Sequence, residues 1–220
     1  IMMSKIKKLF SSNIREISLV IVMIVLALFV QFRSGGNFLT PENISDMFAE
    51  TAVLGICAVG MMFVIITGGI DLSIGAIMAF GAMVGCTVLK NNPGIPTIIV
   101  VAIAMAVGLV SGLVNGVLVS KLKILPIIAT LGTMNIYRGI TYLVAQGSWI
   151  KQQEMGKTFL SLATGKFLGI NNLIVIAIIV YILAAFFMTK TRTGRKIYAV
   201  GNSEESARVS GIKTDNTLML

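Results

Sequence analysis

PTIIVVAIAMAVGLVSGLVNGVLVS, residues 96–120, runs for 25 residues without a single charge. A helix that crosses a bilayer needs about 20 such residues, and a longer run spans with some tilt. Pro96 stands at its start, where a missing N–H costs nothing because the first amides of a helix have no partner in the helix. Working outward, five further runs are predominantly apolar, with at most two charges each: 14–32, 44–67, 73–89, 124–145 and 172–188. None shows the alternating segments of about ten residues that a membrane β-barrel needs. The expected fold is therefore all-α, a polytopic membrane helix bundle with about six transmembrane helices. It forms a single transmembrane domain over 1–220, with 190–213 as a cytoplasmic loop within it. The first run is too long for the short core of a cleavable signal, and no small-residue cleavage site follows it. Leu218-Met219-Leu220 opens a new apolar run, so the natural chain is expected to continue.

Composition agrees. Hydrophobic residues are 56% of the 220, charged residues 12%, and the mean hydropathy is +0.92. A soluble domain carries roughly 25% charge and about 45–50% apolar residues. So few charges cannot cover a soluble enzyme, and disorder needs low hydrophobicity. The net charge of +9 would ordinarily raise nucleic-acid binding. Here basic loops beside membrane spans account for it, and no nucleic-acid partner is expected. Cys57 and Cys86 lie in apolar runs and read as packed thiols. The absence of His removes His-ligated zinc sites and His-based acid–base catalysis, so no metal, cofactor or catalytic residue is expected.

Lys and Arg set the orientation. With the N-terminus in the cytoplasm, Lys5, Lys7, Lys8, Arg15, Lys121, Lys123, Lys190, Arg192, Arg195, Lys196, Arg208 and Lys213 fall inside. Only Arg33, Lys90, Lys151, Lys157 and Lys166 fall outside. Residues 146–171 form a long external loop on this reading, and 190–217 a cytoplasmic one.

Four places carry polar chemistry in this apolar background. Thr67-Gly68-Gly69-Ile70-Asp71-Leu72-Ser73 joins the second and third runs. It is either a tight turn in which Asp71 caps the next helix, or a broken helix lining a substrate path, since irregular backbone at membrane depth must be buried in protein or line a cavity. Arg138 lies in the middle of the fifth run, and Asn135 shares its helical face. A charge at the bilayer centre costs at least about 2.5–3.5 kcal/mol, so it faces protein or water. Either it clamps helices together, with Glu50 a candidate partner, or it contacts a hydroxylated solute. Gly108, Gly112 and Gly116 recur every four residues in the fourth run, beside Ser111 and Asn115. That spacing lets helices approach closely, with Asn115 able to bond across the contact. Gly81 and Gly85 repeat the pattern in the third run. Last, Asn202 can cap a short helix over about 202–210, with Glu205 reaching back as in a capping box and Gly211 ending it. Ser203 is the alternative cap. Arg195 and Lys196 precede the helix.

The stretch Thr191-Arg192-Thr193-Gly194-Arg195-Lys196-Ile197-Tyr198-Ala199-Val200-Gly201-Asn202-Ser203-Glu204-Glu205-Ser206-Ala207-Arg208-Val209-Ser210-Gly211-Ile212 resembles the cytoplasmic loop of ribose-type ABC sugar-importer permeases. That family reads T-x-x-G-R-x-I-Y-A-x-G-x-N-x-x-A-A-R-x-S-G-I. Ser203 stands where the family has Asn, and Ser206 where it has the first Ala. Glu205, Ala207 and Gly211 also match the wider EAA-x-x-x-G coupling pattern. Gly69-Ile70-Asp71-Leu72-Ser73-Ile74-Gly75 resembles the family's G-I-D-L-S-V-G. Pro126-Ile127-Ile128-Ala129-Thr130-Leu131-Gly132-Thr133, followed by Tyr137-Arg138-Gly139, resembles P-x-F-I-A-T-L-G-T…R-G. Gln146-Gly147-Ser148-Trp149-Ile150 slightly resembles the rhamnose and autoinducer-2 branch.

The resemblance implies a permease subunit, not an enzyme, of an importer in a bacterial inner membrane. The family has about ten spans, each a helix of about 20 residues, of which this chain would hold the first part. The implied partners are two copies of an ATP-binding subunit inside, an extracellular solute-binding protein, a second permease copy or paralogue, and membrane lipid. Asp71, Asn115, Asn135 and Arg138 would line the substrate path. Arg195, Asn202, Glu205, Ala207 and Gly211 would couple to the ATPase. The chain carries no G-x-x-x-x-G-K-[ST] loop, so ATP must be hydrolysed by a partner. The rival reading is an ion-coupled secondary transporter or channel with Asp71, Glu50 and Arg138 as relay. It predicts transport by the chain alone. A membrane scaffold without transport is a further alternative. Neighbouring genes for an ATPase and a binding protein discriminate among them.

Overall fold

A computed structural model describes residues 14–219. Lys5, Lys7 and Lys8, which enter the orientation argument, lie outside the described residues, as do Leu220 and the side chain of Arg15. The order of elements is α1 (Ile14–Arg33), α2 (Pro41–Ile66), α3 (Ile74–Asn91), α4 (Thr97–Ser120), α5 (Pro126–Ala145), a 3-10 turn (Gln152–Glu154), α6 (Lys157–Thr164), β1 (Lys166–Phe167), β2 (Ile170–Asn171), α7 (Asn172–Lys190), α8 (Arg192–Asn202), α9 (Glu204–Val209) and α10 (Thr214–Leu218). The chain divides into two compact units, Ile1–Ala49 and Glu50–Leu220, and the four polar places named above lie in the second.

Among the described residues, α1, α2, α3, α4 and α7 are long and apolar enough to cross a membrane. The expected six spans are thus five of this kind plus α5. That helix has 20 residues, but Thr130, Thr133, Asn135, Arg138 and Thr141 break up its apolar run. Most large apolar side chains of these helices point outward; in α7 alone Ile178, Ile179, Tyr181, Ile182, Leu183 and Phe186 are exposed. Such a surface suits lipid or further protein and not water.

The second unit is built around α3, α4 and α5. Gly81 is tight against α4: a methyl group there would come within 3.0 Å of the Ala104 carbonyl. Gly85 sits over Val100, which is 1% exposed. The close approach expected of the glycine-rich α4 is therefore made from the α3 side. On α4 only Gly116 is tight, against Met219, while Gly112 faces open space. Cys57 and Cys86 are both free thiols.

The two ends of this bundle are tied separately. Lys90, at the end of α3, bridges to Glu154 at 2.7 Å. Hydrogen bonding from Lys90 and from the Lys151 amide holds the Glu154 carboxyl below its usual range. At the other end Lys123 and Lys121, in the α4–α5 turn, bridge to Asp215 of α10 at 2.7 Å and 3.7 Å. The Lys123 hydrogen bond likewise lowers the Asp215 carboxyl. The expected external loop 146–171 is thus structured, and the turn 121–125 and the segment after α7 share one end.

Candidate substrate path and coupling surface

The break between α2 and α3 needs a left-handed residue, and Gly68 supplies it at φ +81°. Irregular backbone then runs from residue 67 to 73 and is fixed from outside. The Leu72 amide donates to Thr130 Oγ1 at 3.1 Å. Thr130 itself donates to the Pro126 carbonyl at 2.8 Å, within the first turn of α5. Gly69 lies beside Pro126. The two stretches Gly69–Ser73 and Pro126–Thr133 are therefore one structural feature.

Asp71 does not cap α3 in the expected way; the N-cap position belongs to Ser73. Instead Asp71 Oδ1 accepts from the Ser73 amide at 2.7 Å and from the Ser73 hydroxyl at 2.6 Å. Asn115 Nδ2 of α4 donates to the same hydroxyl at 2.7 Å. Ser73 is 0% exposed and Asn115 6%. Asn115 Oδ1 is buried without a hydrogen-bond partner among the described residues. Asp71 and Asn115 are thus brought together through Ser73, a residue that the sequence places only in a motif.

Asn135 and Arg138 are not part of this cluster. Both are exposed on the outer face of α5, and Asn135 donates to the Leu131 carbonyl of its own helix at 2.9 Å. Salt bridges among the described residues involve Lys90, Lys121 and Lys123, and Glu50 is exposed without joining Arg138. No Asp71–Glu50–Arg138 relay is assembled within the described residues. The buried face of α5 belongs to Tyr137, whose hydroxyl donates to the Ser111 carbonyl at 3.0 Å and whose ring stacks on Phe80. Sequence reasoning misses Tyr137 because its neighbour Arg138 carries the charge.

The segment after α7 departs from the single short helix expected at 202–210. Thr191 caps α8, accepting from the Gly194 amide at 3.0 Å, and α8 runs on through Asn202. Asn202 is thus a helix residue, not a cap. Ser203 breaks the chain at φ −163°, ψ 111°, and its Oγ accepts from the Ser206 amide at 3.2 Å. The capping box at Glu205 does not form; Ser206 occupies the third helical position. The C-terminal end agrees with expectation. Gly211 takes φ +83°, its amide donates to the Arg208 carbonyl, and the Ile212 amide donates to the Ala207 carbonyl, each at 3.0 Å. That pair of bonds is the Schellman closure.

Two glycines of α8 are seated against other helices. A methyl group on Gly194 would overlap the Met188 carbonyl and lie 2.6 Å from the Phe187 carbonyl oxygen. One on Gly201 would overlap the Ile66 carbonyl at the end of α2. Ile197 and Val200 are buried beside them. Phe63 and Phe187 meet edge-on below, with centroids 5.9 Å apart. The glycines at 194 and 201 are two helical turns apart, a spacing that could have pointed to a packed helix face. On the outside, Arg195, Glu204, Glu205 and Arg208 are exposed, with Val209 at 84%. Ala207 faces inward at 4%, so it positions α9 and does not present itself to a partner.

Long apolar helices, with a short capped helix pair seated on the ends of α2 and α7, are the build of a multi-pass membrane permease component. The chain belongs to the family described as branched-chain amino acid transport system / permease component, which matches residues 43–220. It is similar to the ribose import permease protein RbsC of Bacillus subtilis, 38% identical over 177 residues, which are 80% of this chain and 54% of that protein. It is 34% identical over 205 residues to the fructose import permease protein FruG of Bifidobacterium longum, 90% of this chain and 60% of the other. The L-arabinose ABC transporter permease protein AraH of Azospirillum brasilense is 34% identical over 193 residues, 87% of this chain and 56% of the other. The chain thus spans little more than half the length of the curated relatives it matches. No solved structure matches it.

Proposed function

We propose that this chain is part of the permease subunit of an ATP-driven importer, which passes a monosaccharide or a related small polar solute inward by alternating access. The observation that carries this reading is α9. Its start is closed by Ser203 and its end by Gly211, it is held on α8, and it presents Glu204, Glu205, Arg208 and Val209 outward. A six-residue helix has no stability of its own, so a rigid mount with a free mixed face serves docking of an ATP-binding subunit. The ribose, fructose and arabinose named for the relatives support a sugar as solute. Two ATP-binding subunits, an external solute-binding protein and a second permease copy complete the assembly. Switching then needs a two-state element biased by ligand and by nucleotide, and the α8–α9 pair is its lever.

The test is co-purification of the ATP-binding subunit with Gly211→Val and Glu205→Lys variants, together with uptake of a labelled sugar panel. A β-branched residue resists positive φ, so Gly211→Val is expected to distort the exit of α9. Glu205→Lys reverses an exposed charge on its outer face. Both are expected to leave the spans inserted while weakening ATPase retention and uptake together. Full retention and uptake in both variants would make α9 an ordinary surface helix.

The orientation has its own check. We place residues 190–213 in the cytoplasm of a bacterial cell, with the N-terminus on the same side and 146–171 outside. A membrane-impermeant thiol reagent added to intact cells is expected to modify Gln153→Cys and to spare Val209→Cys. The reverse pattern turns the topology over.

A further inference from the structure

The β1–β2 hairpin is an unusual object for the edge of a membrane protein. Its turn, Leu168-Gly169, has positive φ at both central positions, +51° and +84°. That is the type I′ turn, in which Asn or Asp normally precedes Gly. A branched apolar side chain is uncommon in the left-handed region, yet Leu168 occupies it with 87% of its surface exposed. Phe167 and Ile170 are register partners, so they project from the same face of the ribbon. Both are exposed, at 60% and 47%. A hairpin in water has no use for three apolar side chains at its tip.

Its place in the chain says what it meets. Asn171 ends β2 and caps α7, accepting from the Leu173 amide at 2.9 Å. Strands rise about 3.3 Å per residue, so the tip lies within about 10 Å of the first turn of a spanning helix. The exposed apolar face of α7 runs on from it. Lys166 opens the hairpin and Lys157 opens α6 just before it, and the sequence holds no acidic residue from Met155 to Lys190. Apolar tip and basic flanks match the acyl boundary and the headgroup phosphates of a bilayer.

We propose that the hairpin Lys166–Asn171 is an interfacial anchor, its Phe167, Leu168 and Ile170 side chains inserted among the lipid headgroups beside α7. The proposal rests on α7 crossing the bilayer, as the permease reading requires. The partner is the lipid surface on the side opposite the α8–α9 pair. Leucine at the turn keeps an apolar side chain pointing into that layer.

The test places Trp at the tip by Leu168→Trp in a Trp149→Phe background, Trp149 being the one tryptophan of the sequence. The permease is reconstituted in vesicles of phosphatidylglycerol and phosphatidylcholine brominated near the top of the acyl chain. An interfacial side chain sits about 5–10 Å into the boundary, so its emission is expected to shift to the blue and to fall by more than about half. Phe167→Trp gives the same reading if the turn does not accept an indole at its first central position. Trp placed by Ile176→Trp, exposed one turn into α7 and so near the depth of the bromines, controls for the span itself. Quenching of the tip by acrylamide and not by bromolipid overturns the anchor in favour of an aqueous loop. Protection from both overturns it in favour of a protein cover, from a second copy, a solute-binding protein or other parts of the chain. If the α7 control also escapes bromolipid, the spanning reading fails, and the anchor with it.

Discussion

Gly201→Val is expected to reduce uptake to a tenth or less. The α-carbon of Gly201 is pressed against the carbonyl of Ile66, where even a methyl group overlaps backbone. Backbone cannot rotate out of the way as a flexible side chain can, so either the end of α2 or the whole of α8 must move. Overpacking of a tight contact costs about 1–3 kcal/mol, and each 1.4 kcal/mol is a factor of about ten in the population of the seated state. A two-methyl side chain at this point is expected to reduce uptake to a tenth or less, because α9 is mounted on α8. Trypsin applied to opened membranes should then cleave more rapidly after Arg195 and Lys196, which precede the buried Ile197. Gly201→Ala should give an intermediate loss. Gly60→Ala is the control: it lies in α2 with nothing within 4 Å, and Ala is the better helix former by about 1 kcal/mol. Unchanged uptake in Gly201→Val would mean that α8 is free to lift from α2, and the lever reading would fail.

The same contact shows what can be read from the sequence and what cannot. The apolar runs are legible because a bilayer imposes one length on any helix that crosses it, and all six runs are helices. The positive φ at Gly211 is legible because a six-residue helix has few ways to stop. α8 is not. Its two glycines argue against a helix by propensity, and only the backbone of Phe187 and Met188 and the carbonyl of Ile66 explain why glycine is needed. Asn202 and Ser203 are near-equal caps, and Ser203 takes the role because α8 continues through Asn202. The loop 146–171 looks irregular in sequence because α6 and the hairpin are shorter than any periodicity can reveal. Asn135 and Arg138 share a face as spacing demands, yet both stand exposed on it. Asp71 and Asn115 meet only because Ser73 lies between them, and no pattern in a single chain announces a bond over 42 residues of sequence.

Ser73→Ala is therefore expected to cost more stability than Asp71→Asn, although the charge draws attention to Asp71. The Ser73 hydroxyl both donates to Asp71 and accepts from Asn115, in a site with no exposure. Alanine breaks both bonds. It also leaves Asn115 Nδ2 without this acceptor, beside an Oδ1 that already lacks a partner. Each buried polar group left unsatisfied costs about 1–3 kcal/mol. Asparagine at 71 keeps a carbonyl oxygen where Oδ1 stands, so both bonds from Ser73 survive. Thermal unfolding in detergent should order the variants with Ser73→Ala lowest, and the double variant Ser73→Ala, Asn115→Leu should recover part of the loss, since removing both partners is cheaper than orphaning one. Uptake then separates packing from passage. If Asp71 serves only to fix the turn, Asp71→Asn should transport nearly as well as it folds. If its charge meets the solute, uptake should fall by tenfold or more while the unfolding temperature holds. An Asp71→Asn variant less stable than Ser73→Ala would show that the carboxylate, not the hydroxyl between the helices, is what fixes the break between α2 and α3.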